Sequence, residues 1–320
     1  MSAGRSLACT DGIDIHHHFL PPFFGEALDR GGHPAASQAG ALGWTPRGAL
    51  DRMDAAGIEA ALLALSLPGV SFRGAADPAA LARQSNEYAA RLIADHPGRF
   101  GAFASLPLLD RQAALAEVEY ALDTLNLDGV LLLSNVRDRY LGDAAFDPVL
   151  AELDRRRAIV FLHPNHAPGP GFNRFVEFPH DVTRALASLT ESEAIERYPH
   201  IRYILAYGGG TLPFIAARVT VVGMDVFGSF LKTMIHYLKR ARTMRRMRYD
   251  LTATTDPYAW RALVGHTQPG RILMGSNYPW ASAAAFARQQ ADWRACAQLD
   301  PAQMRSIERN NALQLFPRFA

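Results

Sequence analysis

Only two cysteines, Cys9 and Cys296, occur in 320 residues. They are far apart and give no disulfide framework, so a reducing cytoplasm is the expected compartment. No apolar run reaches the roughly 18 residues of a membrane-spanning helix. The opening Met-Ser-Ala-Gly-Arg-Ser-Leu has no apolar stretch of the kind a secretory leader needs. Charge of one sign is also missing. The 33 Lys and Arg nearly balance 31 Asp and Glu, for a net charge of +2, which gives no reason to expect nucleic acid as a partner. Gly and Pro are scattered, so no long disordered tract is expected.

What remains is a chain that is 49% hydrophobic, long enough for two average domains or one barrel-sized domain. Eight short apolar runs predict strands at 12–18, 58–66, 99–105, 128–134, 158–163, 201–207, 248–253 and 271–276. Ala158-Ile-Val-Phe-Leu162 and Ile201-Arg-Tyr-Ile-Leu-Ala206 are nearly continuous in apolar residues, as parallel strands covered on both faces are. Helical patterns lie between them at 46–56, 78–96, 112–125, 145–156, 181–198, 212–222, 256–265 and 301–315. Asp181 and Asp256 are candidate N-caps, and Pro257 suits a first helical turn. This alternation predicts an α/β chain folded as a (β/α)8 barrel in one domain, 1–320, with an insertion around 223–247. A doubly wound sheet would want a glycine-rich phosphate loop after its first strand, and here that strand ends in histidines. The basic cluster Lys239, Arg240, Arg242, Arg245, Arg246 and Arg248 predicts a solvated helix face, or else an anion-binding or subunit-contact patch.

Strand alternation puts His16 and His18 on one face with Asp14 below them, and His17 on the other. A histidine-rich surface tag is the competing reading. Barrel chemistry sits where strands end. The fifth strand ends at His163, which alone could be a satisfied core histidine. Together the three imidazoles form a candidate metal site, suited to zinc.

The markers Asp14-Ile-His-His-His18 with Pro21, Phe161-Leu-His-Pro164, Glu177-Phe-Pro-His-Asp-Val-Thr-Arg184, Glu196-Arg-Tyr-Pro-His200, Gly208-Gly-Gly-Thr-Leu-Pro213, Tyr249-Asp250 and Gly275-Ser-Asn-Tyr-Pro279 occur in this order nearly end to end. On them the chain resembles the amidohydrolase superfamily, and within it the amidohydrolase-related branch of aminocarboxymuconate-semialdehyde decarboxylase. The resemblance implies a distorted (β/α)8 barrel, one divalent metal, usually zinc, held by His16, His18 and His163, and, by analogy with relatives, a homodimer. It also exposes two departures. Where the family has a metal-binding aspartate after strand eight, this chain has Asn277; where it has a catalytic histidine after strand six, this chain has Tyr207. Asn277 cannot act as a base, and a tyrosine at neutral pH is a proton donor.

The expected activity is a metal-assisted lyase step, decarboxylation of a small carboxylated aromatic or polyketide-like molecule, with Tyr207 as acid. Alternatives are hydrolysis or hydration, with Asp250 or His166 as base; a metal-free lyase, isomerase or cyclase; and a silent binding protein. Catalytic candidates are Tyr207, Asn277 and Asp250. Candidates for touching substrate are Phe19, His166, His180, Tyr278, Trp280 and Arg47, the last as a carboxylate clamp or a surface residue of its helix. Asp250 could equally make a structural hydrogen bond, and Glu177 with Arg184 is expected to brace its segment.

Overall fold

In a computed structural model, residues 11–33, 43–166, 173–223, 230–296 and 299–320 are described; Cys9 and residues 224–229 of the expected insertion lie outside them. Eight parallel strands form one sheet in chain order: β1 (Gly12–Phe19), β2 (Ile58–Leu65), β3 (Phe100–Ala104), β4 (Gly129–Leu133), β5 (Ile159–His163), β6 (Arg202–Leu205), β7 (Arg248–Asp250) and β8 (Ile272–Leu273). The last strand returns to the first. Ile15 donates its N–H to the Met274 carbonyl at 3.0 Å, Asn277 to that of His16 at 2.8 Å, and His18 to that of Tyr278 at 2.7 Å. These irregular bonds close the barrel, and they are why β8 ends at Leu273, short of the predicted 276. All eight β1 residues are buried, Asp14 and the three histidines included.

Surrounding helices include α1 (Pro22–Arg30), α2 (Pro46–Ala56), α3 (Pro78–Asp95), α4 (Arg111–Glu119), α5 (Asp147–Arg155), α6 (Arg174–Glu191), α7 (Leu212–Thr220), α8 (Phe230–Arg246), α9 (Pro257–His266) and α10 (Ala283–Cys296). Several begin with the same local signal. Thr45, Asp77 and Asp256 each cap a first turn with a side-chain oxygen and are followed by Pro46, Pro78 and Pro257. The cap satisfies an orphan N–H, and proline has none to lose.

Three expectations need correction. Asp181 caps nothing: it lies inside α6, and the cap is made by the side chain of Asn173 just before that helix. Pro179 hid this start, because a proline inside a helical pattern normally signals a break. The helix expected over 112–125 ends at Glu119 and gives way to a π turn over Tyr120–Thr124. Arg240 is not on a solvated face. It is 2% exposed, pairs with Glu196 and donates to the Val222 carbonyl at 2.8 Å, tying α8 to the chain before it.

One buried pair makes stability depend on pH. The Tyr249 hydroxyl donates to the Met244 carbonyl at 2.6 Å and accepts from His266 Nε2 at 2.9 Å. Burial lowers the His266 pKa from its usual 6.5 to about 4. The folded protein therefore binds this proton less readily than the unfolded chain, and stability is lost as pH falls from 6.5 towards 4. The expected loss is about 2 kcal/mol. Denaturant midpoints measured at pH 7 and pH 4.5 check this: His266→Gln is expected to flatten the difference, and an unchanged slope would contradict it.

Candidate active site

The side chains of His16, His18 and His163 meet inside the barrel mouth. All three are buried, and one ring nitrogen of each lies within 4.8 Å of the others. Their outer nitrogens fix the tautomers. His16 Nδ1 donates to Asp250 Oδ2 at 2.7 Å, His18 Nδ1 to the Ala64 carbonyl at 3.2 Å, and His163 Nδ1 to the Pro164 carbonyl at 2.8 Å. A carbonyl or carboxylate can only accept, so each Nδ1 carries the hydrogen and each Nε2 presents a lone pair. The Nε2 atoms of His16 and His18 are 3.1 Å apart, and His163 Nε2 is buried with no hydrogen-bond partner among the described residues. Two bare lone pairs cannot bond each other. A shared cation satisfies all three, so the donor set fits a divalent metal. Burial, reinforced by the neighbouring imidazoles, holds His18 and His163 well below the usual histidine pKa, which keeps them in the neutral, ligating form.

Asp250 is fully engaged. Besides His16, its carboxylate accepts the N–H groups of Tyr207 at 3.0 Å and Thr252 at 2.8 Å. The Tyr207 ring lies 5.5 Å from that of His16 and 6.2 Å from that of His163. Asn277 Nδ2 donates to the Tyr207 hydroxyl over 3.4 Å, a weak bond. Burial, then the nearby Asp250 charge, pushes the tyrosine pKa up. Both residues have positive φ, +54° and +58°, in a region side chains rarely adopt. The triad, Asp250, Tyr207 and Asn277 are thus brought together.

Asp14 does not lie with His16 and His18. The β1 register shifts between Asp14 and His17, and the carboxylate accepts from His17 Nδ1 at 3.0 Å and from the Ser276 hydroxyl at 2.5 Å. The bulge turns Asp14 towards the barrel seam. Tyr278 goes with it, its ring 4.7 Å from that of His17 rather than over the triad. Phe19 is buried against Tyr88 and Trp44. Trp280 donates its Nε1 to Ser66 Oγ at 3.0 Å at the end of β2. Arg47 is an exposed surface residue, 85% solvent-accessible and paired with Asp51 at 2.9 Å; the clamp reading is corrected, because its helix faces it outwards. His180 is exposed and bonded to the Val176 carbonyl of its own helix. His166 stacks on Phe178, 6.3 Å between rings. Glu177 and Arg184 form the expected brace at 3.0 Å.

A buried network went unforeseen. Asp181 accepts from Ser134, from Tyr140 at 2.6 Å and from Asn135 at 3.1 Å, and from the Asn165 N–H at 3.2 Å. It fixes the loop whose Pro164 carbonyl orients His163. No spacing in the sequence links Asp181 to Ser134.

Comparison with known proteins agrees with this architecture. The chain is 34% identical to decarboxylase yanB of Aspergillus niger over 97% of its length and 88% of that protein. It is 35% identical to the 6-methylsalicylic acid decarboxylase of Penicillium expansum over 96% of both. The dihydroxybenzoic acid decarboxylase of Polaromonas, solved with manganese and 2-nitroresorcinol, superposes with a TM-score of 0.79 at 21% identity over 96% of this chain and 97% of its own. A family model described as Amidohydrolase matches residues 13–318, and the chain belongs to that family.

Proposed function

We propose that this protein is a metal-assisted carbon–carbon lyase that decarboxylates a small hydroxybenzoate. The observation that carries the reading is the convergence of three Nε2 lone pairs near the Tyr207 ring; the named activities of its relatives support it. His16, His18 and His163 hold the cation, zinc on the chemistry of three imidazoles. Such an ion, when bound, supplies positive charge that orients a carboxylate and an adjacent oxygen. Asp250 is a positioning residue that fixes the His16 tautomer, and Asp250→Asn is expected to weaken metal binding about 10- to 100-fold, measured by titration against a chromogenic chelator; unchanged affinity would contradict that role.

Tyr207 is the proton donor in this reading. Its raised pKa keeps the hydroxyl protonated well above neutral pH, and Asn277 occupies an oxygen lone pair, while among the described residues no acceptor takes the hydroxyl hydrogen. The proton passes to the ring carbon that bears the carboxylate. The C–C bond then breaks, its electron pair restores the aromatic ring, and carbon dioxide leaves. Tyr207 recovers its proton from water. Hydrolysis is disfavoured because Asp250, a base it would need, has its oxygens taken.

The test is carbon dioxide release from 2,6-dihydroxybenzoate and 6-methylsalicylate by metal-loaded protein. Release with formation of the matching phenol is expected; none from a hydroxybenzoate panel at full loading would overturn the reading. A homodimer is also proposed. Phe214 on α7 is 87% exposed, and Ile235 and Leu238 on α8 are more than half exposed, an apolar surface that suits association. Light scattering is expected to give twice 35.0 kDa, and a monomer mass would count against it. No helix among the described residues is long and apolar enough to cross a membrane; the cytoplasm is proposed from the cysteine usage.

A further inference from the structure

A small, mainly apolar cavity of about 30 Å³ is lined by Gly69, Val70, Ser71, Leu106, Leu131 and Leu133 among others. It sits at the C-terminal ends of β2, β3 and β4. Strand register connects it to the site: Leu131 pairs with Phe161 and Leu133 with His163. Residues in register on parallel strands point to the same face, and the Phe161 ring is 5.1 Å from that of His16. Leu131 and Leu133 therefore continue the wall that carries the metal-site histidines. They keep 5% and 8% exposure where Leu132, pointing the other way, has none.

One polar side chain of this lining has an unexplained atom. Ser71 is 7% exposed, and its hydroxyl has no hydrogen-bond partner among the described residues. Its loop is held, since Arg137 donates to the Ser71 and Phe72 carbonyls at 3.2 and 3.1 Å. Most of the remaining lining is aliphatic, which suits an apolar group.

We infer that this cavity is a specificity pocket for a small alkyl substituent on the substrate ring, with the Ser71 hydroxyl meeting a polar group on the adjacent ring edge. The inference rests on the proposed decarboxylation for the ring's identity, and on the cavity alone for the substituent. Its volume matches roughly one methyl group or one water. Gly69 closes the top: a side chain there would start 2.8 Å from Leu133 Cδ1.

Binding of the decarboxylated products tests the pocket apart from catalysis. By calorimetry on metal-loaded protein, 3-methylphenol is expected to bind about 10-fold more tightly than phenol. Leu106→Phe, which fills the cavity, is expected to erase that preference, and Val136→Ile, a gentler filling, to reduce it. Ser71→Ala is expected to weaken both phenols alike. Equal affinities in the unaltered protein, no measurable binding of either, or a preference that survives both filling variants would overturn the pocket. A preference that holds without carbon dioxide release from either parent acid would sink the reaction and leave the pocket; release without preference would do the reverse.

Discussion

His163→Ala is expected to lower turnover by at least about 1,000-fold, which corresponds to about 4 kcal/mol of transition-state stabilisation. The imidazole supplies one of three nitrogens that face a common point, and its Nε2 has no other partner among the described residues. Two imidazoles and an amide side chain do not replace it. The readout need not be activity. A bound ion stabilises the folded state by mass action, so a chelator is expected to lower the melting temperature of the unaltered protein. The same chelator should leave the His163→Ala melting temperature in place. A variant that still loses stability on chelation would mean that the cation sits elsewhere.

Tyr207→Phe is expected to cut kcat about 100-fold while KM changes little. General acid catalysis contributes about 10²–10⁴-fold, and burial makes this hydroxyl a weak acid, which argues for the lower end. Among the described residues the hydroxyl's one bond is the 3.4 Å contact from Asn277, so its removal is expected to cost little stability. A variant with full turnover would eliminate Tyr207 as the donor. Installing the family's residues together, Tyr207→His with Asn277→Asp, separates specialisation from loss. Lower turnover on the native substrate is expected, since the double variant has neither the Tyr207 hydroxyl nor the amide N–H that Asn277 donates to it; a gain would mean that the two departures are defects.

The barrel was legible because its strands are buried on both faces. Stretches such as Ala158–Leu162 must be apolar throughout, and Thr45-Pro46 or Asp256-Pro257 mark helix starts by the bonding they permit. The histidine cluster was legible because imidazoles gather towards the C-terminal ends of two such strands, β1 and β5. What stayed hidden depends on contacts distant in sequence or on local irregularity. The bulge that turns Asp14 and Tyr278 to the seam leaves no mark in an alternating pattern. Asp181 looked like a cap because Pro179 looked like a break, yet α6 runs through that proline and buries the carboxylate beneath the loop beyond β5. Arg47 and Arg240 show that charge alone does not report direction: one points to solvent, the other is enclosed. The carbonyls of Ala64 and Pro164, which set two of the three imidazoles, are backbone atoms with no residue signature at all.

The most direct measurement is elemental analysis of protein purified without chelator, repeated for His16→Ala and His18→Ala. About one equivalent of a divalent metal per chain, zinc on the donor set, lost in both variants, is the expected result. Less than about a tenth of an equivalent in the unaltered protein, with none taken up on adding zinc or manganese, would contradict the claim that these imidazoles hold a cation.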